Sequence, residues 1–128
     1  MCFEKLIMSR EKAKAYFLGR EGYRKLNCGQ AVLSAFKKEL DVSDGTIQEF
    51  GGYGGGKAPE GFCGAFYAAK MVLERHSPEL LPDLEASFVR AAGSVKCREI
   101  RSARKLSCLG CVETAARYLE EHIWTLPP

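Results

Sequence analysis

No apolar stretch in this chain approaches the length of a membrane span. The longest unbroken one covers residues 65–69 and stops at Lys70, where a spanning helix needs about 20 apolar residues. The N-terminal segment also lacks an uninterrupted apolar core, because Glu4, Lys5, Arg10 and Glu11 break it. No export signal is therefore expected, and the cytoplasm is the expected location. Charge of one sign is missing too. Nineteen Lys and Arg against sixteen Asp and Glu leave a net charge of +3, too small to point to nucleic acid or an anionic membrane. Histidine is scarce: His76 and His122 each stand alone in charged stretches, and both are expected at the surface. No Ser-His-Asp order or paired acid–base constellation is present. The glycine run at 51–56 is not a phosphate-binding loop, because Lys57 is followed by Ala58 rather than Ser or Thr. With no acid, base or substrate pocket to assign, a redox or binding role is favoured over an enzyme with its own substrate.

What is present is an ordinary globular composition, 128 residues with 46% hydrophobic and 27% charged. That length predicts one domain over residues 1–128, with a core that needs no staples. Helical periodicity dominates. Residues 9–20 read as a helix with Ser9 as its cap, and 27–40 as a second. Asn27 caps the second and Gln30 completes a capping box. A short helical turn is expected near 46–50. Residues 51–61 hold six glycines and a proline, which reads as a loop. Further helices are expected over 61–75, over 82–92 with Pro82 in the first turn, and over 107–124 with Ser107 as cap. Residues 97–105 are helical or irregular. The expected fold is all-α, a compact bundle of five or six helices with a Gly-rich loop at 51–61.

Six cysteines in so short a chain are the anomaly. Without an export signal they point to metal or redox chemistry rather than structural disulfides. Cys28, Cys63 and Cys108 are each expected in the first turn of a helix. Free amides and the positive end of the helix dipole there favour thiolate. Cys97 lies among Lys96, Arg98, Arg101, Arg104 and Lys105, with Arg98, Arg101 and Arg104 on one helical face at three-residue spacing. Cys2 is assigned no role.

Cys108 and Cys111 form a C-x-x-C whose thiols share a helix face. Such a pair suits a dithiol couple or two ligands of one metal. Glycine lets the backbone approach a bulky group, and successive amides can cradle an anion. Gly54, Gly55, Gly56 and Gly64 are the candidate cradle beside Cys63. Phe66, Tyr67 and Trp124 suit a core or a homo-oligomer interface equally.

NCGQAVLSAF at 27–36, FGGYGGGKAPEGFCGAFYA at 50–68, GSVKCREI at 93–100 and CLGCVETAARYLEE at 108–121 together resemble the redox-active family named for its C-GCAxxG-C-C cysteine frame. The frame maps onto Cys28, Cys63, Cys97 and Cys108, which lie 35, 34 and 11 residues apart. The last cysteine is Cys108 because it precedes V-x-x-A-A by four positions. Ala68 stands where the pattern has its final glycine, and Cys111 is an extra thiol.

The resemblance implies a small helical protein of a kind frequent in anaerobes and often encoded near transporter genes. A similar frame in split-Soret-type cytochromes implies that the four family cysteines can hold an iron–sulfur cluster, [2Fe–2S] or [4Fe–4S]. The expected function is electron transfer to a redox partner protein, which could be transporter-associated. A metal-free dithiol on Cys108 and Cys111, or a four-cysteine zinc module, are the alternatives. Covalent haem is not expected, since no C-x-x-C-H is present.

Overall fold

The computed structural model describes the backbone of residues 2–122 and the side chains of residues 9–122. Seven α-helices occur among the described residues: α1 (Cys2–Leu18), α2 (Cys28–Ala35), α3 (Asp44–Glu49), α4 (Gly64–His76), α5 (Leu81–Ala92), α6 (Cys97–Ala103) and α7 (Cys108–His122). There is no strand among them, only a single bridge between Phe62 and Lys96. The fold is all-α, as the periodicity implied. The count exceeds six because both short segments left open, near residue 46 and after Cys97, are helices. No helix of the described residues is long and apolar enough to cross a membrane.

α2 is the central helix, packed against α1, α4 and α7, and α7 also packs on α1 and α4. Its side chains explain that position. Ala31, Val32, Leu33 and Ala35 are all buried, so the helix is apolar nearly all round. Phe36, Phe88, Leu73, Val112 and Leu119 fill the space between the helices. Ala68, the departure from the family glycine, is fully buried and close-packed. Phe66 belongs to this core and Tyr67 packs at its edge. Trp124 and the side chain of Cys2 lie outside the described residues.

Several local expectations need correction. Ser9 does not cap α1: the helix begins at Cys2, and Ser9 is buried within it. α2 ends at Ala35 rather than residue 40. The next turns bond Phe36 to Leu33 and Leu40 to Phe36, and the segment closes with Asp41 at φ 51°. The segment still buries Phe36 and Leu40, as the apolar stripe implied. α4 starts at Gly64, so Cys63 is its N-cap residue rather than part of its first turn. His76 and His122 are half-buried rather than on the open surface. The His122 ring stacks on Tyr118, with centroids 4.1 Å apart.

The Asn27 cap holds as read. The Asn27 side chain accepts from Gln30 N at 2.9 Å, and Gln30 Oε1 accepts from Asn27 N at 3.2 Å. Both side chains also reach out of α2. Asn27 Nδ2 donates to Phe50 O at 2.8 Å and Gln30 Nε2 donates to Ile47 O at 3.1 Å. The box thereby ties the start of α2 to the entrance of the glycine loop. Asn27→Ala is expected to cost about 2 kcal/mol, the upper end for a lost cap, because the Phe50 carbonyl loses its partner as well. A urea titration by far-UV circular dichroism checks this, with Ser43→Ala at the simpler cap of α3 as the smaller comparison.

Candidate functional site

The four frame cysteines all stand at helix starts. Cys28, Cys97 and Cys108 are the first residues of α2, α6 and α7, and Cys63 caps α4. Local chemistry sets each start. Asn27 opens α2 with its box. Ser107 Oγ accepts from Gly110 N at 3.0 Å at the head of α7. Cys63 N donates to Val95 O at 2.8 Å, beside the Phe62–Lys96 bridge, which draws the start of α6 to that of α4. Lys96 secures the junction by donating to Glu60 O at 2.7 Å while lying 4.4 Å over the Phe62 ring. Gly93, at φ +90°, ends α5 and lets the chain turn into α6.

The four starts converge on one cavity of about 410 Å³. Its wall holds all five cysteines with described side chains: Cys28, Cys63, Cys97, Cys108 and Cys111. Gly55, Gly56 and Gly64 complete one side, and Ile100, Leu106, Arg101 and Arg104 the other. Gly54, the fourth glycine of the expected cradle, is not in the wall and lies against Asn27. Gly56 needs its φ of +86°, and a Cβ there would come 3.9 Å from Cys97 Sγ.

Gly64 and Gly29 form the tightest approach. A Cβ on Gly64 would lie 2.7 Å from Cys28 Sγ and 3.4 Å from Gly29 N, and one on Gly29 would lie 3.0 Å from Gly64 O. The heads of α2 and α4 therefore cross on two Cys-Gly pairs. Gly29 was missed by the sequence reading, although the repeated Cys-Gly was its signal.

Within the cavity the thiols are not equivalent. Cys63 neighbours both Cys28 and Cys111. Cys63 and Cys111 are 6% and 2% exposed. Cys28 and Cys97 are half-buried and Cys108 is exposed. The C-x-x-C pair thus divides: Cys111 turns inward to Cys63, while Cys108 meets the Arg101 guanidinium. Among the described residues no group of three or more His, Cys, Asp or Glu is arranged to hold a single metal ion.

The electrostatics reverse one expectation. The helix starts at Cys28 and Cys63 were expected to lower their thiol pKa values, but both are raised, and so is that of Cys97 in its basic setting. For Cys28 the contact with Cys63 is the largest cause, followed by burial; the amides of Ala65 and Gly29 oppose it. The Cys63 thiol is pushed up to about 12, first by Cys111 and then by burial, against opposing effects from Cys28 and the Phe66 amide. Burial raises Cys97 while Arg101 opposes. Amides and helix dipoles do act on these sulfurs, but crowded thiols and desolvation outweigh them. Such a cavity favours thiolates when positive charge joins them.

Arg98, Arg101 and Arg104 do not line one surface together. α6 stops at Ala103, with Arg104 left-handed at φ 54°. Arg101 and Arg104 line the cavity, whereas Arg98 lines a neighbouring groove with Lys96 and Glu99. The Arg101 pKa is raised by Cys97 and Cys108.

Residues 26–122 match the family model described as Putative redox-active protein (C_GCAxxG_C_C). No curated protein and no solved structure matches the chain.

Proposed function

The chain belongs to the C_GCAxxG_C_C family, and on that premise we propose that it carries electrons through an iron–sulfur cluster held by Cys28, Cys63, Cys97 and Cys108. The observation that carries this reading is the convergence of four cysteine-headed helices on one cavity. A single ion needs its thiolates about 2.3 Å from one point, whereas these thiols stand around about 410 Å³. Space of that extent suits a group of several atoms better than a lone ion. Four cysteines are the usual ligand number for either cluster type.

A bound cluster supplies one-electron transfer at a potential tuned by charge, hydrogen bonds to sulfur and exposure. The chain's own groups bear on each of these. The amides of Gly29 and Ala65 favour thiolate at Cys28, and that of Phe66 does so at Cys63. Arg101 and Arg104 bring positive charge to the rim. Ile100 and Leu106 make part of the wall apolar and limit water. Gly64 leaves the room that Cys28 Sγ occupies. The protein serves a redox partner as a carrier, in the cytoplasm, where free thiols in this number persist.

The test is a visible spectrum with iron, sulfide and zinc assays on protein purified without oxygen. Broad visible absorption with iron and sulfide in matching amounts is expected. No iron and no colour after anaerobic reconstitution overturns the reading. Zinc at one per chain overturns it in favour of a structural module.

A further inference from the structure

Cys108 and Cys111 stand three residues apart on α7, and both line the cavity that Cys63 also lines. Cys108 is exposed and meets Arg101; Cys111 is 2% exposed and touches Cys63. One thiol of the C-x-x-C therefore faces outside reactants and the other faces a buried thiol. We infer that the three form a thiol relay, which accepts oxidising equivalents at Cys108 and stores them as a buried Cys63–Cys111 disulfide. This activity uses no metal and does not rest on the cluster reading; because it engages Cys63 and Cys108, it belongs to the chain without a cluster.

The exchange balances with a low-molecular-weight disulfide as oxidant. The Cys108 thiolate attacks one sulfur of that disulfide, whose S–S bond breaks and releases one small thiolate. Cys111, its proton given to water, attacks the Cys108 sulfur and expels the second small thiolate. Cys63, likewise deprotonated, attacks the Cys111 sulfur, and the Cys108 thiolate leaves. Two protein thiols lose two protons and two electrons, and the external disulfide becomes two thiols. Cys108 is regenerated for a second encounter. Arg101 stands beside Cys108, where the outside disulfide arrives. Burial then shields the Cys63–Cys111 bond from external thiols, which favours it over the exposed alternative. Cys28 also touches Cys63, so a Cys28–Cys63 link is the competing endpoint.

The full chain, stripped of metal, is incubated with oxidised and reduced glutathione, quenched by alkylation and mapped by mass spectrometry. The wild type is expected to lose about 2 Da, the two hydrogens of one disulfide, with Cys63 linked to Cys111 and Cys108 alkylated. Cys108→Ser is expected to reach the same link about tenfold more slowly or worse, having lost its accessible thiol. Cys63→Ser is expected to stall at Cys108–Cys111. A wild-type endpoint of Cys108–Cys111 or Cys28–Cys63, no link at all, or wild-type kinetics in Cys108→Ser overturns the relay. Circular dichroism establishes folding; if Cys63→Ser does not fold, the wild type and Cys108→Ser decide. Iron loading is assayed separately on protein never stripped, so failure there counts against the cluster alone.

Discussion

Gly29→Ala is expected to destabilise the protein by about 2 kcal/mol or more, a large share of the stability of a domain this size. The added methyl would meet Phe50 Cδ2 at 2.7 Å and Gly64 O at 3.0 Å. Neither neighbour can retreat easily. Phe50 is 1% exposed, and its ring is held between Tyr53 at 5.0 Å and Tyr67 at 5.5 Å. The Gly64 carbonyl is backbone in the first turn of α4. Overpacking of a filled site costs about 1–3 kcal/mol and sometimes more. Alanine's helix propensity returns at most about 1 kcal/mol, and less at a helix end, so the clash decides the sign. Gly52→Ala is the control. Nothing lies within 4 Å of its Cβ position, and a change within about 0.5 kcal/mol is expected. Denaturant midpoints for both variants check the pair; equal midpoints would mean that α2 and α4 are free to separate.

That crossing marks where the sequence was legible and where it was not. The apolar stripe of Ala31, Val32 and Ala35 announces α2, and Asn27 with Gln30 announces its start, because both signals live within one helix. Val112, Ala115, Ala116 and Leu119 announce α7 in the same way, and all four are fully buried. The convergence of the cysteines is tertiary. It depends on Cys63 N bonding Val95 O, 32 residues away, which no local pattern encodes. Periodicity could offer three cysteines at helix starts but left Cys97 undecided, since the seven residues of α6 are too few to establish a period. The pKa expectation failed for a related reason. A helix dipole is a property of one element, whereas the contacts of Cys63 with Cys28 and Cys111 exist only once α2, α4 and α7 are packed. The same packing gives Cys108 and Cys111 different exposures, the first open and the second buried, which sequence spacing alone does not show.

Cys63→Ala is expected to abolish the visible absorption and iron loading of anaerobically prepared protein and, in metal-free protein, the buried disulfide. Both losses follow from its central position. Its backbone is pinned at each side, donating to Val95 O at 2.8 Å and accepting from Tyr67 N at 2.9 Å, which fixes where its sulfur sits in the wild type. Removing the sulfur enlarges an existing cavity rather than opening a new one, and at about 24 cal/mol per Å³ the loss of one atom costs about 1 kcal/mol or less. The variant should therefore fold, and its helical circular dichroism separates lost chemistry from lost structure. Cys108→Ala and Cys111→Ala then divide the two functions. Cys108→Ala is expected to lose the colour, and Cys111→Ala to keep the colour while losing the disulfide. The opposite pattern, colour lost with Cys111 and kept without Cys108, would move the fourth ligand to the buried thiol. Colour surviving Cys63→Ala would remove Cys63 from the ligand set, since Cys28, Cys97, Cys108 and Cys111 would still line the cavity.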